Sequence, residues 1–338
     1  MKKQSILLWA VPAVLLFVAG GCKKDDQVVQ VPGDPGDSPP SPTVTNEQTA
    51  MQYYAGTNAF VTNDELTFVD KAVEPADYGL PKIDATVIPV RFGRFITGVT
   101  RTFTVTIPPG DSIAFVHVDK IITGDFAILA KYSATDTVDT LIQKPFTDHA
   151  TRNIIFRRFA RDIKHFWLNW VPVATSLVDG KTVPPANPVN FSDITIKKVQ
   201  LFLPNGDSVA VTNPDSTFLR FGWELRYHGR EHVVPELLPG QPVTTQVTVA
   251  SASPDTDVVV LRYGFNTLEG KRGRMTLVAQ SYDSGTQLYT RVYQKQWVVH
   301  PWFGYFDAGV DAVTHATIYD DSPTSYSASW WGVPYHVY

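Results

Sequence analysis

The residues with the most suggestive spacing are His228-Gly229-Arg230-Glu231-His232. On a helix, two histidines four residues apart face the same metal, and a glutamate beside them can act as general base in hydrolysis. The local pattern opposes that reading. Phe221, Trp223, Leu225 and Tyr227 alternate with Gly222, Glu224, Arg226 and His228, the period of a strand. Gly229 then favours a turn, and Pro235 follows shortly after. The stronger expectation is a solvated hairpin tip, with a zinc site at His228 and His232 as the lesser alternative. No third ligand can be singled out, because Glu236 and Glu269 are merely available.

The remaining histidines, at 117, 149, 165, 300, 315 and 336, lack ligand spacing. Asp255 with Asp257, and Asp320 with Asp321, offer hard oxygen ligands for calcium, yet neither pair sits in a calcium-loop pattern. There is no G-x-S-x-G elbow and no phosphate-cradling glycine loop. These features favour a non-enzymatic protein, and no cofactor is implied. The C-terminal region concentrates aromatic residues, among them Trp302, Trp330 and Trp331. Flat exposed rings stack on sugars, so these three are candidate glycan contacts. A core or a seam between the last strands is the alternative. Adjacent residues on a strand point to opposite faces, so one of Trp330 and Trp331 is expected to be partly exposed.

The chain must place these groups on a β-rich scaffold. It has 338 residues, enough for about two domains. Its 29 basic and 33 acidic residues give no strong field, which argues against a nucleic-acid partner. Hydrophobic residues at 43% support packed cores, while 18% charged residues and abundant Thr, Val, Tyr and Phe favour strands.

Phe103, Val105 and Ile107 alternate with threonines, and Pro108-Pro109-Gly110-Asp111 is a turn. Ile113 to Val118 is nearly all apolar, as for a strand covered on both faces. Asn63-Asp64-Glu65 can cap a short helix over Leu66 to Val73. A longer helix is expected from a cap at Thr147 or Asp148, with Ile154, Ile155, Phe159, Ile163 and Phe166 near helical spacing and arginines between them. Downstream, Pro204-Asn205-Gly206-Asp207 is a turn, Val243 to Val249 alternates cleanly, and runs at 258–263, 275–282 and 288–299 complete a set of strands. The fold expectation is mainly β, with an α+β or decorated β domain over 47–180, a boundary near 179–188, and an immunoglobulin-like β-sandwich over 190–338.

The N-terminus carries the location signal. Lys2 and Lys3 precede an apolar run from Ile6 to Val18, then Ala19-Gly20-Gly21-Cys22, with Cys22 the only cysteine. This pattern resembles a bacterial lipoprotein signal, implying a signal peptide over 1–21 and lipidation of Cys22. Lys24-Asp25-Asp26 resembles the surface-export tag of Bacteroidetes-type lipoproteins. A proline-rich stretch, Pro32 to Pro42, has the composition of an extended spacer, so 22–46 reads as anchor and tether. The resemblance implies an outer-membrane, lipid-anchored protein facing the cell exterior, with the membrane as one partner and a glycan or protein ligand as another.

Overall fold

The computed structural model describes residues 40–58, 61, 68–71, 87–110, 112–132, 140–184, 193–220, 235–264 and 271–338. Cys22, Lys24, Asp25 and Asp26, His228 and His232, and most of the expected 66–73 helix lie outside the described residues. Ser38–Tyr338 forms one compact unit.

A helix, α1 (Glu47–Thr57), opens the body. Asn46 caps it, its side chain accepting from Thr49 N while Thr49 reciprocates, so two orphan N–H groups are satisfied. Next come β1 (Phe68–Lys71), β2 (Ile88–Thr106), β3 (Ile113–Lys131), β4 (Thr140–Arg158), β5 (Trp170–Ser176) and β6 (Asp179–Thr182). The second half supplies β7 (Ile194–Phe202), β8 (Ser208–Val211), β9 (Phe218–Arg220), β10 (Glu236–Leu237), β11 (Pro242–Ser251) and β12 (Val258–Tyr263). It ends with β13 (Lys271–Arg274), β14 (Thr276–Asp283), β15 (Leu288–Val298), β16 (Gly304–Val313), α2 (His315–Tyr319) and β17 (Ala328–Val337).

The protein is mainly β. One sheet runs β1-β2-β3-β4-β6-β17-β16-β12-β13, and a second runs β14-β15-β11-β7-β8. In the second half, β7-β11-β15-β14 opposes β17-β16-β12-β13, an order consistent with the ABED and CFG sheets of the immunoglobulin-like expectation. The expected boundary near 179–188 does not separate two sheets. β6 pairs antiparallel with β4 on one side and with β17 on the other, so the first half continues the sheet of the second.

This continuity gives the central strands a core on each face. In β12, Val259 and Leu261 pack with the five-stranded sheet, while Val258 and Val260 pack with Ile122, Phe126 and Tyr326. Trp331 belongs to the first cluster and Trp330 to the second, and each is 5% exposed. The expectation that one of them is exposed is therefore not met. Adjacent residues do point to opposite faces, but both faces of β17 are covered. Gly180 is part of this packing, since a Cβ there would lie 2.2 Å from the Trp330 indole.

The helix expected over the arginine-rich stretch is instead β4. Ala150, Arg152, Ile154 and Phe156 are all buried at period two, and β4 pairs with β3 from Thr140 to Arg157. A partner ladder of that length outweighs a local helical spacing whose outer members, Phe159 and Ile163, are 47% and 93% exposed. Asp148 is buried beside Arg94 rather than capping a helix. Phe68 and Val69 likewise lie in a strand, β1. Ile113 and Phe115 are 39% and 44% exposed, so the start of β3 is covered on one face only. Gly124 lies inside β3. A Cβ there would meet Phe95 O at 2.2 Å, so glycine permits close approach of β2 near its bulge. The turns at Gly110 and Gly206 have φ of 77° and 90°, conformations that favour glycine.

Gly180→Ala is expected to destabilise the protein by about 3 kcal/mol through overpacking against Trp330. Denaturant titration of the variant beside the parent chain measures this, and a change within 0.5 kcal/mol, the usual surface range, would refute the packing account.

Candidate functional site

The long β3–β4 ladder brings together groups that are scattered in sequence. Asp119 lies opposite Thr151, Thr151 opposite Asp179, and Asp179 opposite Trp331. Residues directly paired share a face of the sheet, so this row crosses β3, β4, β6 and β17. At the Trp331 end it enters the sandwich core. At the Asp119 end it is open, with Asp119 38% exposed.

Two imidazoles clasp Asp119. His149 Nε2 lies 2.9 Å from Asp119 Oδ1, and His117 Nε2 lies 3.2 Å from Oδ2. His117 is also oriented from behind. Its Nδ1 is 2.7 Å from Asn153 Oδ1, and Asn153 Nδ2 donates to the Asp215 carbonyl at 3.3 Å. Because a carbonyl only accepts, Asn153 presents its amide oxygen to the ring, and His117 Nδ1 is the donor. Asp215 is held over the sheet by Thr151, whose hydroxyl donates to Asp215 Oδ1 at 3.1 Å. Asp215 belongs to the turn Pro214–Ser216, which pins this connection to β4.

Asp179 closes the row. Burial pushes its carboxyl above the ordinary aspartate range, the Trp331 indole N–H pulls it back, and the charge of Asp215 pushes it up again. The indole donates to Asp179 Oδ1 at 2.8 Å. The arrangement is a preset hydrogen-bonding face: imidazole edges, carboxylate oxygens and an amide on a rigid sheet. Sequence spacing missed it because His149 reaches Asp119 only through the β3–β4 register. The same-face pair His117-x-Asp119 was the one local signal.

The named aromatics divide. Trp330 and Trp331 are buried in cores and offer no ring to a ligand. Trp302 is 53% exposed beside Phe303 at 72%, in the segment between β15 and β16. Among the described residues, no three His, Cys, Asp or Glu side chains are grouped to hold a metal. Asp257, considered for calcium, is instead paired with Arg291.

That pair is structural. Arg291 Nη1 donates to Asp257 Oδ2 at 2.6 Å, with both side chains fully buried. Arg291 also donates to Gln280 Oε1 and to the Ser253 and Pro254 carbonyls. Burial pushes Asp257 up to about 6, against the pull of Arg291 and the Ser251 hydroxyl. A second buried node sits in the other core. Arg94 Nη2 lies 3.5 Å from Asp148 Oδ2 and donates to Tyr326 Oη, which in turn donates to Asp148. Nearby, burial lowers Lys144 to about 8 while its ammonium donates to Ala316 O and Ser325 Oγ.

Arg291→Met is expected to cost about 3–5 kcal/mol at pH 8, because it leaves Asp257 as a buried uncompensated charge. With Arg291 gone, the Asp257 carboxyl, already pushed up to about 6, rises further, so at pH 5 the folded variant holds it protonated and carries no buried charge there. The cost should therefore be smaller at pH 5 than at pH 8, and denaturation curves at both values check the sign. Compared with protein-family models and with curated proteins, the chain matches none.

Proposed function

We propose that this chain is a lipid-anchored protein of the bacterial outer membrane, displayed outward, whose β-rich body is a non-enzymatic binding or structural module. Two things support the reading. In the sequence, Cys22 ends a run of small residues and Lys24-Asp25-Asp26 follows it. In the body, the observation that carries the binding role is the open face of Asp119, His117, His149 and Asn153. Its donors and acceptors are fixed by neighbouring strands before any ligand arrives, so little ordering entropy remains to be lost on contact.

A second reading, capture of glycan, rests on Trp302 and Phe303. Both rings are more than half exposed on one short segment, and such rings supply apolar faces for sugar. A zinc hydrolase using His228 and His232 is the weakest reading. Metal analysis of the purified chain showing stoichiometric zinc would be needed to support it.

Location is tested by protease shaving of intact cells, comparing the parent with an Asp25→Ala/Asp26→Ala variant. Loss of the parent with protection of the variant is the expected result, and protection of both would overturn outward display. For glycan capture, oligosaccharide titration is expected to quench tryptophan fluorescence in the parent but not in Trp302→Ala. Equal quenching in the two would remove Trp302 from the site.

A further inference from the structure

Among the described residues, the main paths of the two sheets end in β1, β13, β14 and β8, with β5, β9 and β10 branching from the larger one. An edge strand presents unpaired N–H and C=O groups, and proteins blunt such edges by shortness, lysine or proline. Three of these four strands are only four residues long. β13 reads Lys271-Arg272-Gly273-Arg274, so a second copy approaching it would meet like charge.

β14 is neither short nor marked by lysine or proline, and its one blunting feature is a bulge near its start. It has eight residues, TLVAQSYD, with no lysine, arginine or proline and a single charge at its last position, Asp283. Every residue except Leu277 is exposed, including Val278 at 52% and Tyr282 at 53%. A bulge falls between Leu277 and Ala279, and beyond it Ala279–Asp283 pair with β15 in unbroken register. The edge is also held in place. Tyr282 packs against Tyr289 with ring centroids 4.7 Å apart and planes tilted by 44°, and Gln280 Oε1 accepts from Arg291, itself tied to buried Asp257.

We propose that β14 is a homotypic interface, pairing antiparallel with β14 of a second copy so that two five-stranded sheets join. An antiparallel pair of identical strands has two-fold symmetry: where residue i meets j, j meets i. Centred on Ser281, the middle of the regular stretch, the pair sets Ala279 opposite Asp283 of the second copy and Gln280 opposite Tyr282. No like charges face each other. So short a strand buries little area, which makes the contact weak in free solution. Confinement of both copies to one surface would raise their effective concentration. The pairing itself does not depend on the proposed anchor.

The test uses full-length chain in expressing cells. Ser281→Cys, treated with a short bis-maleimide, is expected to give a species of twice the mass of the untreated chain from the same cells, whereas the parent, with Cys22 alone, gives none. In the Ser281→Cys background, Ala279→Lys should keep the dimer, because the introduced lysine meets Asp283 of the second copy. Ala279→Lys/Asp283→Lys should lose most of it, because lysine then meets lysine. Positions 279 and 283 are exposed, so unchanged thermal midpoints are expected to show intact folding. Any of three results would overturn the proposal: no dimer while a single maleimide labels position 281, a dimer indifferent to the double lysine variant, or cross-linking mainly to a protein of another mass.

Discussion

The structure depends on the hydrogen-bonded seam between β6 and β17. Three residue pairs, Ser329 with Lys181, Trp330 with Gly180 and Trp331 with Asp179, stitch the sheet of the first half onto the last strand of the sandwich. The backbone adds to the seam outside the ladder, where Gly332 N donates to Val178 O. Without this seam β17 would be an open sheet edge up to the point where β10 pairs with His336 and Val337, with unpaired backbone groups and two large indoles beside it. With it, β17 becomes an interior strand, and the tandem tryptophans can be apolar on both faces because each face has its own core.

The seam also explains where buried charge is tolerated. Extending one sheet across both halves puts residues of β2, β3 and β4 onto the inner face between hydrophobic clusters. Arg94, Asp148 and Lys144 are buried there, and each has polar partners on other elements. Isolated ions of this kind would cost several kcal/mol each. Their partners come from Thr182 on β6 and from the α2–β17 connection through Tyr326 and Ser325, so the polar nodes reinforce the joint that the backbone makes. Glu47 plays a comparable part for α1, accepting from Arg158, Asn169 and Trp170.

On the opposite face the same continuity yields a surface rather than a core. The Asp119–Thr151–Asp179–Trp331 row begins in solvent and ends under the five-stranded sheet, so exposure falls from Asp119 at one end to Trp331 at the other. Desolvation raises Asp179, which lies nearer the core. The clasp of His117, Asp119 and His149 sits at the wet end, where the imidazoles and the carboxylate stay partly exposed to solvent.

Much of the fold was legible in the sequence, because local alternation and turn chemistry agree with the final structure. The turns at Gly110 and Gly206, the strand β11 and the cluster of strands from 258 to 299 needed no tertiary information. β4 was not legible. Its arginines and isoleucines satisfy a helical spacing locally, and only the ladder with β3, which no window of sequence contains, selects the strand. The burial of Trp330 and Trp331 and the convergence of His117 and His149 on Asp119 were hidden for the same reason. Sequence by itself determined strand-forming periodicity and turn positions, since these follow from φ/ψ preferences and side-chain alternation within a few residues. Tertiary structure alone decided which faces are covered and which polar groups converge, since those follow from strand order and register between segments far apart in the chain.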